Sequence, residues 1–220
     1  HWYDSTIDRA YSLSGKAFPE LAEDEVAKVI FSGIAAMISP GQKAHRNWYY
    51  ALNSWEELMT TGRMTGVNPE TGAIYGVRGK ITRSSLLTLQ HVIDQRGMEG
   101  AAHWLLAPDT LSNLTAVKRE SGLYSVSHKI KGPQGSIRLG IEAFGPKVGP
   151  FGKNINGLPD GTVDVWASRS WNRVLGRMTD VPIPKKSAYH RPSTIEGPRN
   201  EAERIVMKQW LDAVGENTGK

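Results

Sequence analysis

Two runs of apolar residues at helical spacing, each cut off by a turn signal, constrain this chain most. From Glu23 to Ile38, Val26, Ile30, Ile34 and Met37 recur every three or four positions, and Ser39-Pro40-Gly41 ends the run. From Lys43 to Met59, Trp48, Leu52, Trp55 and Met59 form a second stripe, closed by Gly62. A 3.6-residue period gathers each set on one face, and such a face is stable only when packed on another element. The same spacing predicts a helix from Ser84 to Gln95, with Leu86, Leu89 and Ile93 inward and Gly97 after it. A short helix from Met98 to Leu106 stops at Pro108, and Asp109 reads as the N-cap of a helix running through Arg119. Residues 63–80, with several glycines beside Asn68 and Pro69, read as a loop, mobile or facing a substrate.

After Gly122 the period changes. Tyr124, Val126, His128 and Ile130 alternate, as do Ile137, Leu139 and Ile141, on either side of Gly132-Pro133-Gln134-Gly135. Period two around such a turn reads as a β-hairpin over 123–143, with a short helix as the alternative for its second arm. Pro146 suits the first position of a helix reaching Asn156, and Gly157 to Gly161 is a turn. Asp164 opens a further helix with Val165, Trp166, Trp171, Val174 and Leu175 as its apolar set. Residues 176–198 hold Pro182, Pro184, Pro192 and Pro198 among Lys185, Lys186, His190 and Arg191, an extended basic loop. Asn200 caps a last helix carrying Ile205, Val206, Trp210 and Val214. The fold class is therefore mainly α, in one domain over 1–220, with an inserted hairpin.

Composition sets the outer bounds. With 220 residues, 39% hydrophobic and 22% charged, the chain can bury a sizeable core and is no disordered tail. A net charge of +5 favours an anionic partner. The absence of cysteine excludes disulfides, iron–sulfur clusters and thiolate zinc sites. His45, His103 and His128 have no carboxylate or histidine at metal-ligand spacing, so no metal is expected. No apolar run approaches the roughly 20 residues that span a bilayer, so no membrane partner is expected. The chain opens on His1, with no visible signal peptide, and reads as a piece of a longer polypeptide.

Chemistry-bearing residues concentrate between Phe144 and Arg173. A turn, Phe144-Gly145-Pro146-Lys147, opens one helix, and Asp164 stands at a second helix start 17 residues after Lys147. Free amides at a helix N-terminus hold phosphate, and a carboxylate there is stabilised as an anion. This stretch resembles the helix-hairpin-helix DNA glycosylases, the superfamily of endonuclease III and 8-oxoguanine glycosylase. That family carries a Gly-x-Gly-x-Lys hairpin, followed at a similar interval by Val-Asp-x-His and a helix. Phe144-Gly145-Pro146-Lys147 lies over the end of the hairpin, and Val163-Asp164-Val165-Trp166 over the aspartate segment, continued by Arg169 and Asn172-Arg173. Ile34 to Pro40, followed by the helix carrying Asn47, is more loosely similar to the family's early core helix and loop. Ala143 replaces the first hairpin glycine, Trp166 replaces the common histidine, and the family's iron–sulfur cluster has no cysteines to hold it.

The resemblance implies a DNA glycosylase, with DNA as partner and no cofactor. A flipped nucleotide would enter a pocket built from His45, Asn47, Trp48 and Trp166. Asp164 would stabilise the oxocarbenium-like sugar or activate the nucleophile. Lys147, deprotonated, would attack C1′ and give lyase chemistry; protonated, it would hold a phosphate while water attacks. Gly145, Gly149, Lys153, Arg169, Lys185, Lys186 and Arg191 would contact DNA. Such a reading needs Lys147 and Asp164 to converge at the mouth of one cleft, and it implies a cytoplasmic enzyme or a secreted effector. Each residue also has a plainer role: Asp164 as an N-cap, Lys147 as a solvated helix-start lysine, Trp48 as a core ring, 185–191 as a solvated loop. A non-catalytic DNA-binding module of the same fold, or a phage or toxin domain that attacks DNA, is the alternative function.

Overall fold

The computed structural model describes residues 2–69, 71–75, 79–122, 132–158, 205–206 and 209. The chain divides into two compact units, Trp2–Pro159 and Asp160–Lys220. In the second, the described residues Ile205, Val206 and Gln209 are helical and exposed. The first is mainly helical: α1 (Trp2–Ser14), α2 (Glu20–Glu23), α3 (Glu25–Ile38), α4 (Ala44–Thr61), α5 (Gly79–Leu106), β1 (Pro108–Thr110), α6 (Leu111–Glu120), β2 (Ile137–Leu139), a 3₁₀ turn (Gly140–Phe144) and α7 (Val148–Ile155).

The α3 helix is the centre of this unit. Asp24 caps it, its carboxylate accepting from the Val26 amide at 2.8 Å. From Ile30 to Ile38 every residue is buried, so the helix is enclosed on all sides, by α4, α5 and α7. Small residues let these neighbours approach: a Cβ on Gly33 would stand 3.1 Å from Leu105. Of the α4 stripe predicted from sequence, Trp48, Leu52 and Trp55 dock here, whereas Met59 is exposed. Trp55 is fully buried and donates its indole N–H to Glu20 at 2.9 Å, which ties α2 to α4. Trp48 packs edge-on to Tyr11 and Phe31, with ring centroids 5.4 and 5.0 Å away, and donates to the Ser14 hydroxyl at 2.9 Å.

Sequence and structure part at several boundaries. The first part of α5 starts at Gly79, ahead of Ser84, and the predicted division at Gly97 holds: non-helical Gly97 (φ 71°, ψ 176°) separates two helical segments. That left-handed φ is one glycine adopts without strain. Asp109 is not the cap of α6: it is held in β1, and Thr110 accepts from the Asn113 amide at 3.2 Å instead. Asp109 braces the same turn, its carboxylate accepting from the Thr110 amide and the Asn113 side chain.

Of the predicted hairpin, residues 123–131 lie outside the described residues. The second arm is part strand, part turn. Ile137–Leu139 pairs antiparallel with β1, Asp109 opposite Arg138, and the chain then winds into the 3₁₀ turn, which buries Ile141. The α7 helix begins at Val148, with Lys147 at the N-cap, so Pro146 precedes the helix and does not start it.

The segment read as a mobile or substrate-facing loop is stitched to the helices. Gln90 on α5 accepts from the Met64 amide at 2.9 Å and donates to the Gly62 carbonyl at 3.0 Å. Val67 bridges to Ile74, and Met64 and Tyr75 are each 1% exposed. Tyr75 lies against Tyr50, centroids 4.9 Å apart. Its hydroxyl completes no well-formed hydrogen bond, although the Asn53 side chain lies beside it. Burial, with a smaller push from the Glu57 charge, raises that hydroxyl from 10 to about 12, against the lowering effect of Asn53. The folded state therefore keeps this proton longer than the unfolded state does. Below pH 10 the hydroxyl is neutral in both states and buries no charge, and stability falls as pH climbs from 10 to about 12. Tyr75→Phe should raise stability at pH 7 by about 1 kcal/mol, since it removes an unsatisfied buried hydroxyl. It should also flatten the alkaline fall, read from urea midpoints at pH 8, 10 and 11.5; a midpoint lowered at pH 8 contradicts this account.

Candidate nucleic-acid interface

The turn that leads into α7 is the site the sequence singled out. The 3₁₀ turn closes on Gly145, whose amide donates to the Glu142 carbonyl at 3.1 Å. Gly145 takes φ 115° and ψ 172°, a conformation that a side chain at this position would strain. Nothing lies within 4 Å of where its Cβ would be, so the constraint is the backbone and not the neighbours. Pro146 is exposed, and Lys147 is half-buried at the N-cap.

Across the turn lies the end of α3. The Lys147 ammonium approaches the Ser39 carbonyl at 3.5 Å, a long contact between residues 108 apart in the chain. Ser39 is buried, and its hydroxyl donates to the Ala36 carbonyl at 2.8 Å. Its carbonyl also accepts from the Gln42 amide at 3.1 Å, so the 39–42 turn is fixed where Lys147 meets it. The early helix-and-loop segment and the Gly-Pro-Lys turn are therefore neighbours.

As a phosphate cradle, the start of α7 is under-equipped. Pro150 in its first turn has no N–H, and the Gly149 amide already donates to the Gly145 carbonyl at 3.0 Å. Gly149 is buried against Glu142, where a Cβ would stand 2.9 Å from the Glu142 backbone. Lys153, in the last turn of α7, is drawn to Glu142 at 3.9 Å, and Arg138 reaches the same carboxylate at 3.6 Å. Glu142 also accepts from the Leu139 amide at 2.9 Å, so it organises the turn from inside.

His45 and Arg46 are exposed at the start of α4. Asn47 is 6% exposed, and its side-chain oxygen has no hydrogen-bond partner. Trp48 sits in the aromatic cluster with Tyr11 and Phe31. Asp164, Trp166, Arg169, Lys185, Lys186 and Arg191 lie outside the described residues, as do the basic loop and the helix predicted from Asp164. An open groove of about 480 Å³ between α3 and α5, lined by Val26, Val29, Ala102, His103 and Leu106, holds none of the predicted site residues.

Sequence reading missed two residues that shape the turn, Glu142 and Lys118. Lys118 is the one lysine among the described residues that is buried. Its signal was present: Leu111, Leu114, Thr115 and Lys118 follow the helical spacing of a core stripe. Among the described residues, no three His, Asp or Glu side chains are grouped to hold a metal ion. No helix among them is long and apolar enough to cross a membrane. Compared with protein-family models, curated proteins and solved structures, the chain matches none.

Proposed function

We propose that the chain is a DNA glycosylase of the helix-hairpin-helix type, acting on a nucleotide flipped out of the stack. The observation that carries this reading is the contact of Lys147 with the Ser39 carbonyl. It joins the two described segments that resemble the family, and it places the half-buried Lys147 amine beside the exposed Pro146. The net charge of +5 supports a polyanionic partner, and the exposed His45 and Arg46 add local donors.

In the proposed reaction Asp164, ionised, stabilises positive charge on the sugar as the bond from C1′ to the base breaks and the base leaves with the electron pair and a proton. Water adds to C1′ and loses a proton, and the abasic sugar opens to its C1′ aldehyde. Neutral Lys147 adds to that aldehyde, and water leaves to give an imine. Loss of a proton from C2′ then expels the 3′ phosphate and nicks the strand. If Lys147 stays protonated, the reaction stops at the intact abasic strand.

Borohydride tests the reading directly, because it reduces a protein–DNA imine to a stable secondary amine. Wild-type protein mixed with duplexes that carry modified bases should form a trapped adduct, and Lys147→Met should form none. Abasic product without an adduct would keep the glycosylase and remove the lyase. Salt-sensitive binding with neither product across damaged, modified and normal duplexes would overturn the enzyme and leave the DNA-binding module.

A further inference from the structure

We infer that Lys118 is the positioning residue of the Gly145–Lys147 turn. It rests on α6, which packs against the 3₁₀ turn, and donates from its side-chain nitrogen to the Ala143 carbonyl at 2.9 Å. Ala143 lies two residues before Gly145 and four before Lys147, so this hydrogen bond holds the chain just before it reverses. Both ends of the bond are buried: Lys118 is 9% exposed and Ala143 1%. In this environment the carbonyl has no water to turn to, and losing its donor leaves an unsatisfied acceptor. On the far side, the Lys147 ammonium lies 3.5 Å from the Ser39 carbonyl. Desolvation drives the Lys118 ammonium below the ordinary lysine range, yet it stays at the carbonyl.

For catalysis, the inference rests on Lys147 being the acting amine; for structure, it does not. Lys118→Met keeps the apolar stem and removes the donor. Amide hydrogen exchange in the intact chain is the decisive measurement. Gly145 and Gly149, whose amides bond across the turn, should exchange at least tenfold faster in the variant, while the amide of Ile34 in α3 should not change. Trapping on preformed abasic DNA should slow about tenfold, with DNA affinity within twofold, because a displaced Lys147 lowers the rate and not the binding. If wild-type protein traps nothing, the glycosylase reading fails, and the exchange result alone decides the role of Lys118. Unchanged exchange at Gly145 and Gly149 would overturn the inference. So would the loss of a cooperative melting transition, since Lys118 would then be holding the core and not the turn.

Discussion

Gly140→Ala should be the most disruptive glycine-to-alanine change among the described residues. A Cβ built on Gly140 stands 2.0 Å from the Trp104 carbonyl oxygen and 2.8 Å from its carbonyl carbon. Both are backbone atoms, so no rotamer change relieves the clash. Relief needs the end of α5 to separate from the junction of β2 and the 3₁₀ turn. That junction is tight from both sides. The Gly140 amide donates to the Ala107 carbonyl at 3.3 Å, and Trp104 packs edge-on to Phe144 at 6.0 Å. Parting them would open the core at Trp104, Ile141 and Phe144, all buried. The expected loss is about 4–5 kcal/mol, at the top of the range for single substitutions and close to the whole stability of a small domain. Urea unfolding followed by circular dichroism measures it. Gly122→Ala is the control: φ is 71° there, but nothing lies within 4 Å of the new methyl, so only backbone strain of about 1 kcal/mol is expected. Equal losses at the two positions would refute the packing argument.

The contrast between these two glycines shows what the sequence makes legible. A left-handed glycine after a helix is signalled by its neighbours, as at Gly62 and Gly97. The reason for Gly140 lies in Trp104, 36 positions earlier, and no local pattern reports it. Likewise, α3 and α4 follow from their own periodicity. Residues 63–80 read as a mobile or substrate-facing loop because the side chain that pins the segment at Gly62 and Met64, Gln90, comes from the next helix. The three residues of β1 are too short to show alternation, so Asp109 reads as a cap, whereas its pairing with Arg138 leaves Thr110 to cap α6. At the candidate site, the Gly-Pro-Lys turn was legible because a tight reversal demands those residue types. Its contact with Ser39 was not, and neither was the anchor at Lys118, which stood in plain view on a core stripe but carries a charge that argues against burial.

Asp164→Asn should reduce base release at least about 100-fold and leave DNA binding within about threefold, the scale on which a missing transition-state charge is felt. Asparagine and aspartate are comparable helix N-caps, so the substitution removes charge while preserving the cap that the plainer reading assigns to this residue. A residue that only caps would therefore lose almost nothing. The proposed division of labour sharpens the test. Asp164 is needed while the base is still attached, because positive charge develops on the sugar as that bond breaks. Lys147 is needed afterwards, at a C1′ aldehyde that has already formed. On DNA prepared with an abasic site, Asp164→Asn should trap with borohydride at nearly the wild-type rate, whereas Lys147→Met should not trap. On DNA that still carries the modified base, both should fail to give an adduct, Asp164→Asn for want of the aldehyde and Lys147→Met for want of the amine. Full base release by Asp164→Asn would remove the carboxylate from the mechanism. Loss of trapping on preformed abasic DNA in that variant would mean the two residues do not act in separate steps, and the sequence of events proposed for them would be wrong.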